Sequence, residues 1–331
     1  MNLMKSVVLT PAGELVDSEI ERPSVSGRDL LIRVQAVAVN PVDTIQQPNS
    51  AGPRVLGWDA AGEVVSVGAD CTLFQPGDEV YYAGDITRKG ANSEYHLVDE
   101  RIVGRKPASL SFADAAALPL TSITAWEGMF HRIGIDPFDT NKGKTILIIG
   151  AAGGVGSIAT QLANEAGLTV VGTASRQASS EWALEHGAHH VINHAEDFAP
   201  QLQELGIQQV DYAFCLNVVN ENWDNMLNVV APQGRVCTIL PPMAPLDFRA
   251  MADKTITWSI EAMFARPKHQ TEDMDEQHKL LNHLSTWIDQ GKIKSTKNTL
   301  LSPISATNLQ EAYRQLNSKR TIGKIVLEGF R

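Results

Sequence analysis

The chain has 331 residues, 43% of them apolar and 20% charged; this length suits about two domains, and the composition excludes disordered, collagen-like and low-complexity classes. Its 28 Lys and Arg are outnumbered by 38 Asp and Glu, for a net charge of −10. So acidic a body repels phosphate backbones, which argues against general nucleic-acid or anionic-membrane binding and leaves any anionic ligand to a local site.

Cys71, Cys215 and Cys237 are too few and too scattered for a disulfide framework and fit a reduced, cytoplasmic compartment. Met1 to Thr10 lacks the apolar core and small-residue cleavage site of a secretory signal. No apolar stretch reaches the roughly 18 residues needed to span a bilayer.

The first 110 residues read as β-rich. Leu30 to Val39 is a partly alternating β-branched run, and Glu63 to Val67 and Asp78 to Tyr82 are shorter strands, bounded by turn signals such as Gln75-Pro76-Gly77-Asp78. Short strands at this spacing predict a small barrel or sandwich. Phe112 to Phe130 reads as helix, broken near Pro119. From Lys144 strands alternate with helices: strand Thr145–Ile149, helix Gly156–Ala166, strand Leu168–Thr173, then strands at Val191-Ile192, Val210–Phe214 and Arg235–Ile239. That alternation predicts a doubly wound parallel sheet. Asp273 to Gln290 reads as an amphipathic helix stopped by Gly291, and Lys324 to Glu328 as a final strand.

The sharpest motif is Gly150-Ala151-Ala152-Gly153-Gly154-Val155-Gly156, placed after a strand and opening a helix. There a glycine-rich turn brings backbone N–H groups against a pyrophosphate. Gly153 permits close approach to the phosphates and Gly156 permits tight helix–strand packing. Ala151 stands at the first glycine of GxGxxG, so the motif is strictly AxGxxG. An NAD site places an acid at the end of the second strand, on the ribose 2′-OH. Here that strand ends Gly172-Thr173-Ala174-Ser175-Arg176, with a hydroxyl and a guanidinium instead. An arginine pairs bidentately with a 2′-phosphate, so NADPH is favoured over NADH. The other reading of Arg176 is a solvated residue at a helix start.

Nine histidines raise the question of a metal. His186, His189, His190 and His194 cluster without a cysteine pair or HExxH spacing, and His278 and His283 are five apart, off a common helical face. They read as surface or hydrogen-bonded histidines. His194, just after the third strand of the sheet, is placed to reach the adenosine phosphate.

Several segments together resemble the medium-chain dehydrogenase/reductases, in the zinc-independent, quinone oxidoreductase-like branch and its bacterial "zinc-binding alcohol dehydrogenase family" group. They are Val39-Asn40-Pro41-Val42-Asp43-Thr44, Leu56 to Gly62, Gln75 to Tyr82, Leu118 to Ala125, the phosphate loop, and Met263 to Pro267. The resemblance implies an α/β protein: a GroES-like β-barrel domain of residues 1–124 and 264–331, and a Rossmann domain of residues 125–263. The active site would lie in the cleft between them. It also implies a homodimer formed through the Rossmann edge strand, here Thr255 to Ile260. In zinc-dependent relatives a Cys precedes the barrel's Gly-x-Asp turn, where this chain has Asn40. Their Gly-His-Glu is Gly57-Trp58-Asp59 here. The third Cys ligand has no counterpart in Leu118 to Ala125, and the four-cysteine structural lobe is absent. No zinc is expected.

The same resemblance implies the site residues. Ala152, Gly153, Gly154, Val155 and Gly156 would bind the pyrophosphate, and Ser175, Arg176 and His194 the 2′-phosphate. Asn40 and Asp43 would line the nicotinamide side. Thr124 would face the cofactor, and Gly323-Lys324 would return to the cleft. Trp58 and Asp59 would shape the substrate pocket, and Tyr82 is a candidate proton donor; packing, turn capping and a barrel aromatic are the other readings of these three. The expected activity is NADPH-dependent, zinc-free reduction of a quinone or an activated α,β-unsaturated carbonyl, because without a metal only an electron-poor acceptor takes hydride readily. The alternatives are a zinc-free alcohol or aldehyde oxidoreductase, and an NADPH-binding sensor or structural protein of low turnover.

Overall fold

The computed structural model describes residues 3–45, 53–138 and 140–330. The chain divides into two compact units, residues 1–123 with 264–331 and residues 124–263. The strands in chain order are β1 (Leu3–Leu9), β2 (Leu15–Glu21), β3 (Asp29–Ala38), β4 (Arg54–Val55), β5 (Ala60–Val67), β6 (Glu79–Tyr82), β7 (Tyr95–Asp99) and β8 (Val103–Arg105). They continue with β9 (Thr145–Ile149), β10 (Thr169–Thr173), β11 (His190–Ile192), β12 (Val210–Cys215), β13 (Val230–Thr238), β14 (Thr257–Ile260), β15 (Lys297–Leu301) and β16 (Lys324–Glu328).

The first unit is β-rich. A three-stranded sheet runs β2-β1-β4, and a seven-stranded sheet runs β15-β16-β3-β5-β6-β8 with β7 on β3. The long β3 is its centre and pairs antiparallel with β5, β7 and β16. Leu30, Leu31, Ile32, Val34, Ala36, Val37 and Ala38 are all buried, which is why β3 reads as a nearly continuous apolar run. Two register shifts between β3 and β5 bend the pair, at Leu31/Ile32 and Val34/Ala36.

Register also brings distant residues together. Val326 lies opposite Ala38, and the Val39 N–H donates to Ile325 O, so Lys324 falls across from Asn40. The Ala38 N–H donates to Asp59 O, which sets Asp59 beside the same strand end.

The predicted helix from 112 to 130 is divided. Ser111 caps Phe112–Ala116, a second helix starts at Pro119 and runs to Trp126, and a π-helical turn follows over Glu127–Ile133. Proline is favoured at the first position of a helix, where its missing N–H removes no bond.

The second unit is a six-stranded, all-parallel sheet in the order β11-β10-β9-β12-β13-β14. Ile146 to Ile149 are wholly buried, as a strand covered on both faces requires. Leu147, Ile149, Val171, Phe198, Ala213 and Trp223 share one core beneath it. The strand order reverses at β9 and β12, and ligands of such sheets bind beyond the carboxyl ends of the strands at that point.

Candidate active site

β9 ends at the reversal point and the chain turns there through Gly150, whose φ is +90°. The helix Gly154–Glu165 then begins, with Gly153 as its N-cap and no acidic residue in its first turn. Its first N–H groups have no partner within the helix and point outward, toward an anion site. The two motif glycines differ in purpose. A Cβ on Gly156 would lie 2.2 Å from Gly150 O and 2.6 Å from Ala151 C, so the helix packs on the loop only without one. A Cβ on Gly153 would meet nothing nearer than Gly150 O at 3.5 Å, an ordinary contact. The protein itself has no need of glycine at 153; the cradle needs it if a ligand occupies the space. Pyrophosphate fits that arrangement.

The loop is braced from two sides. The Trp182 indole N–H donates to Ser157 Oγ at 2.7 Å, and Ser157 Oγ donates to Gly153 O at 2.7 Å. The Gly150 N–H donates to Thr173 Oγ1 at 3.0 Å, and that hydroxyl lies 3.3 Å from His194 Nδ1. The structure thus joins His194 to the loop through Thr173, the last residue of β10. Burial lowers the His194 pKa, opposed by the Glu221 charge. Trp182, Ser157 and Thr173 carry no local sequence signal for this role, because each reads as an ordinary helix or strand residue. Beyond β10, Ser175 is exposed and Arg176 half-buried. The Arg176 carbonyl accepts from the Ser180 N–H and from the hydroxyls of Ser179 and Ser180, which pins its backbone at the start of the helix Gln177–Glu185.

In the first unit Asn40, Asp43, Asp59 and Lys324 form one buried polar cluster, none more than 3% exposed. The Lys324 ammonium donates to Val39 O at 3.0 Å, to Asp59 Oδ2 at 3.0 Å and to Asn40 Oδ1. An ammonium has three N–H donors and no acceptor, so this set satisfies it and turns the Asn40 oxygen toward it. The Asn40 Nδ2 then donates to Asp59 Oδ2 at 3.0 Å, and the Leu120 N–H to Asp59 Oδ1 at 3.0 Å. Burial pushes the Asp59 pKa up, opposed by Lys324 and these hydrogen bonds.

Asp43 is different. Its Oδ2 accepts from the Asn40 N–H at 2.8 Å, while its Oδ1 is buried without a hydrogen bond. Burial raises its pKa to about 7, against the Asn40 N–H and the Lys324 charge, with Asp59 adding to the rise. It is the member of the cluster that gains or loses a proton near neutrality.

The other expected residues stand apart from this cluster in their bonding. The Tyr82 ring stacks on His96 at 5.5 Å between centroids, and its hydroxyl lies 3.0 Å from His96 Nδ1. His96 Nε2 faces Lys89 O at 2.9 Å and must carry the ring's proton, so Nδ1 accepts from Tyr82. Burial lowers the His96 pKa to about 4 and raises that of Tyr82. The candidate donor is therefore an inward-facing hydroxyl, 1% exposed and already hydrogen-bonded. Trp58 is also 1% exposed; its N–H donates to Asp85 O at 3.1 Å and its ring meets Phe264 edge-on. It packs rather than lining an open pocket. Thr124 is buried in the helix Pro119–Trp126, and Gly323 has a φ of +59° immediately before Lys324.

Known proteins share the fold. Residues 26–120 match the family model of the alcohol dehydrogenase GroES-like domain, and residues 154–274 that of the zinc-binding dehydrogenases. A zinc-type alcohol dehydrogenase-like protein of Staphylococcus aureus is 43% identical, over 93% of this chain and 93% of its own length. The chain belongs to the medium-chain dehydrogenase/reductase superfamily. It is an oxidoreductase of that superfamily. A 2-methylene-furan-3-one reductase of Solanum lycopersicum is 30% identical, over 94% of this chain and 74% of its own. A quinone oxidoreductase of Lama guanicoe is 31% identical over 68% of both. The crystal structure of a Rhizobium etli protein assigned to the zinc-dependent alcohol dehydrogenases superposes with a TM-score of 0.94 at 44% identity, covering 99% of each chain.

Zinc in the family's name does not fit the donor set of this medium-chain dehydrogenase/reductase. The Trp58 indole offers an N–H and no lone pair, and that N–H is bonded to Asp85 O. Asn40 Oδ1 and Asp59 Oδ2 both face the Lys324 ammonium. Among the described residues, no group of three or more His, Cys, Asp or Glu could hold a metal ion.

Proposed function

We propose that the chain is an NADPH-dependent, zinc-free reductase of quinones or activated α,β-unsaturated carbonyls. The observation that carries this reading is the Gly153 cradle: a helix N-terminus at the sheet's reversal point, left open on the side where a pyrophosphate would lie, with Ser175-Arg176 after β10 in place of an acid. When bound, NADPH supplies the hydride. The residues that would hold it are Ala152 to Gly156 at the pyrophosphate, Ser175, Arg176 and His194 at the 2′-phosphate, and Thr124 toward the nicotinamide.

The chain's own groups favour an electron-poor acceptor. Lys324 and Asp59 neutralise each other and are fully engaged, so they offer no Lewis acid for an unactivated alcohol or ketone. The enone and quinone named for the tomato and llama relatives are acceptors of this kind. Substrate proton uptake falls to solvent, because Asp43 and Tyr82 are both buried and hydrogen-bonded within the fold.

The reading includes a homodimer through β14. Among the described residues that strand pairs with β13 alone, and Ile260 on it is 45% exposed. A cytoplasmic setting fits three free cysteines, and among the described residues no helix is long and apolar enough to cross a membrane. The test is NADPH oxidation with a quinone and enone panel, with and without chelator. Turnover unaffected by chelator supports the proposal; chelator-sensitive alcohol oxidation rejects it.

A further inference from the structure

The resemblance puts two metal ligands of the zinc-dependent relatives at the positions of Asn40 and Trp58. Here Asn40 and the neighbouring Asp59 converge on a cation that is part of the chain. We propose that the Lys324 ammonium takes the place of the metal: it is a built-in, permanent cation that positions Asn40 and Asp59 and by its charge keeps divalent ions out.

Geometry carries the argument. Lys324 opens β16, Asn40 follows β3, and Asp59 precedes β5; these are three adjacent strands of one sheet, so backbone register fixes the meeting point. The ammonium is surrounded by three oxygens: Asn40 Oδ1, Asp59 Oδ2 and Val39 O. The Lys324 and Asp59 side chains are 4% and 0% exposed, so water does not screen the pair. Trp58, at the position of the relatives' His ligand, takes no part: its N–H is bonded to Asp85 O, and the Arg54 guanidinium lies 5.2 Å from its ring centre. A divalent ion entering between Asn40 and Asp59 would sit within bonding distance of an almost wholly buried ammonium. Like charges at that separation and low dielectric exclude each other.

The consequence is a positioning role. With Lys324 charged, the Asn40 amide has one orientation, because only its oxygen can face a donor. Asp59 accepts from the Leu120 N–H, which anchors the start of the helix Pro119–Trp126. Lys324 touches no reacting atom under this reading; it acts through Asn40 and Asp59.

The test reads metal and protons, so its outcome is separable from that of the proposed activity. Cobalt(II) is titrated into the full chain, into Asn40→Cys, and into Asn40→Cys/Lys324→Met, with thiolate-to-cobalt absorption as the signal. The expected result is no band for the full chain or for Asn40→Cys, and a saturable band only when Lys324 is also replaced. A band in Asn40→Cys with Lys324 present overturns the proposal. Should the double variant not fold, the unmodified chain decides. Its lysine ammonium groups, observed by proton–nitrogen NMR at neutral pH, should include one slowly exchanging resonance that Lys324→Arg removes. If every lysine ammonium exchanges at the rate of exposed lysines, or if equilibrium dialysis leaves stoichiometric zinc on the chain, the ammonium is not the resident cation. Lys324→Arg should also keep the enzyme's pH profile, whereas Lys324→Met should shift it, which a purely space-filling lysine would not do.

Discussion

Under the proposed function, Arg176 decides between two coenzymes that differ by one phosphate. Its backbone is pinned by three donors at the head of a helix, so the guanidinium starts from a fixed point beside the end of β10. A charge-assisted hydrogen bond is worth about 1.5–3 kcal/mol. Arg176→Ala should therefore weaken NADPH by roughly 10- to 100-fold and leave NADH nearly unchanged, measured by fluorescence titration; equal losses would remove Arg176 from the 2′-phosphate site. Asp43 makes a different prediction, in stability. Its carboxyl has a native pKa of about 7 against an ordinary 3.8. Between those values the folded chain keeps a proton that the unfolded chain releases, so this group's contribution falls as pH rises through that window. About three pKa units correspond to up to about 4 kcal/mol. Asp43→Asn cannot ionise, so the parent's melting temperature should fall relative to that of Asp43→Asn between about pH 4 and 7 and hold a constant difference above about 7. Parallel melting curves from pH 4 to 8 would show that Asp43 does not titrate there.

At the scale of elements, the strand–loop–helix unit from β9 to Glu165 makes a prediction through its two glycines. Gly153→Ala meets only an ordinary contact and should fold with an unchanged melting temperature while losing most coenzyme affinity. Gly156→Ala drives a methyl into the Gly150 carbonyl and should lower stability by about 1–3 kcal/mol. The reverse pattern in paired melts and titrations would mean that the cradle does not face a ligand. This unit was legible because its signals are local: an apolar run buried on both faces, a glycine-rich turn and a helix, all within about twenty residues. The doubly wound sheet was legible for the same reason. Other elements were not. β2, Leu-Val-Asp-Ser-Glu-Ile-Glu, is largely exposed and lacks a buried apolar face. The helix Ala306–Asn317 was passed over although Ser305 caps it. The expected helix start at Gly156 lies two residues late, because the capping glycine looks like loop. The polar cluster was named residue by residue through resemblance, but its bonding was hidden: Lys324 and Asn40 are 284 residues apart, and only strand register brings them together. The same holds for Tyr82, whose partner His96 arrives on β7, a strand that the sequence did not announce.

For the whole molecule, the proposed dimer and the proposed chemistry can be separated. Ile260 lies on the unpaired edge of the parallel sheet, on the opposite side of it from β11. Ile260→Lys should shift the sedimentation coefficient toward that of a single chain while NADPH affinity stays unchanged; a monomeric parent would dispose of the β14 interface. With a net charge of −10 on the chain, the proposed function leaves the local phosphate cradle as the place that would accept an anionic coenzyme. The most direct measurement of the account's central claim is kcat/KM for quinone reduction by chelator-stripped enzyme, with NADPH and NADH compared side by side. The account predicts full turnover without metal and at least about a tenfold preference for NADPH, the equivalent of about 1.4 kcal/mol. Activity that returns only when zinc is restored, or an equal or greater rate with NADH, would contradict it.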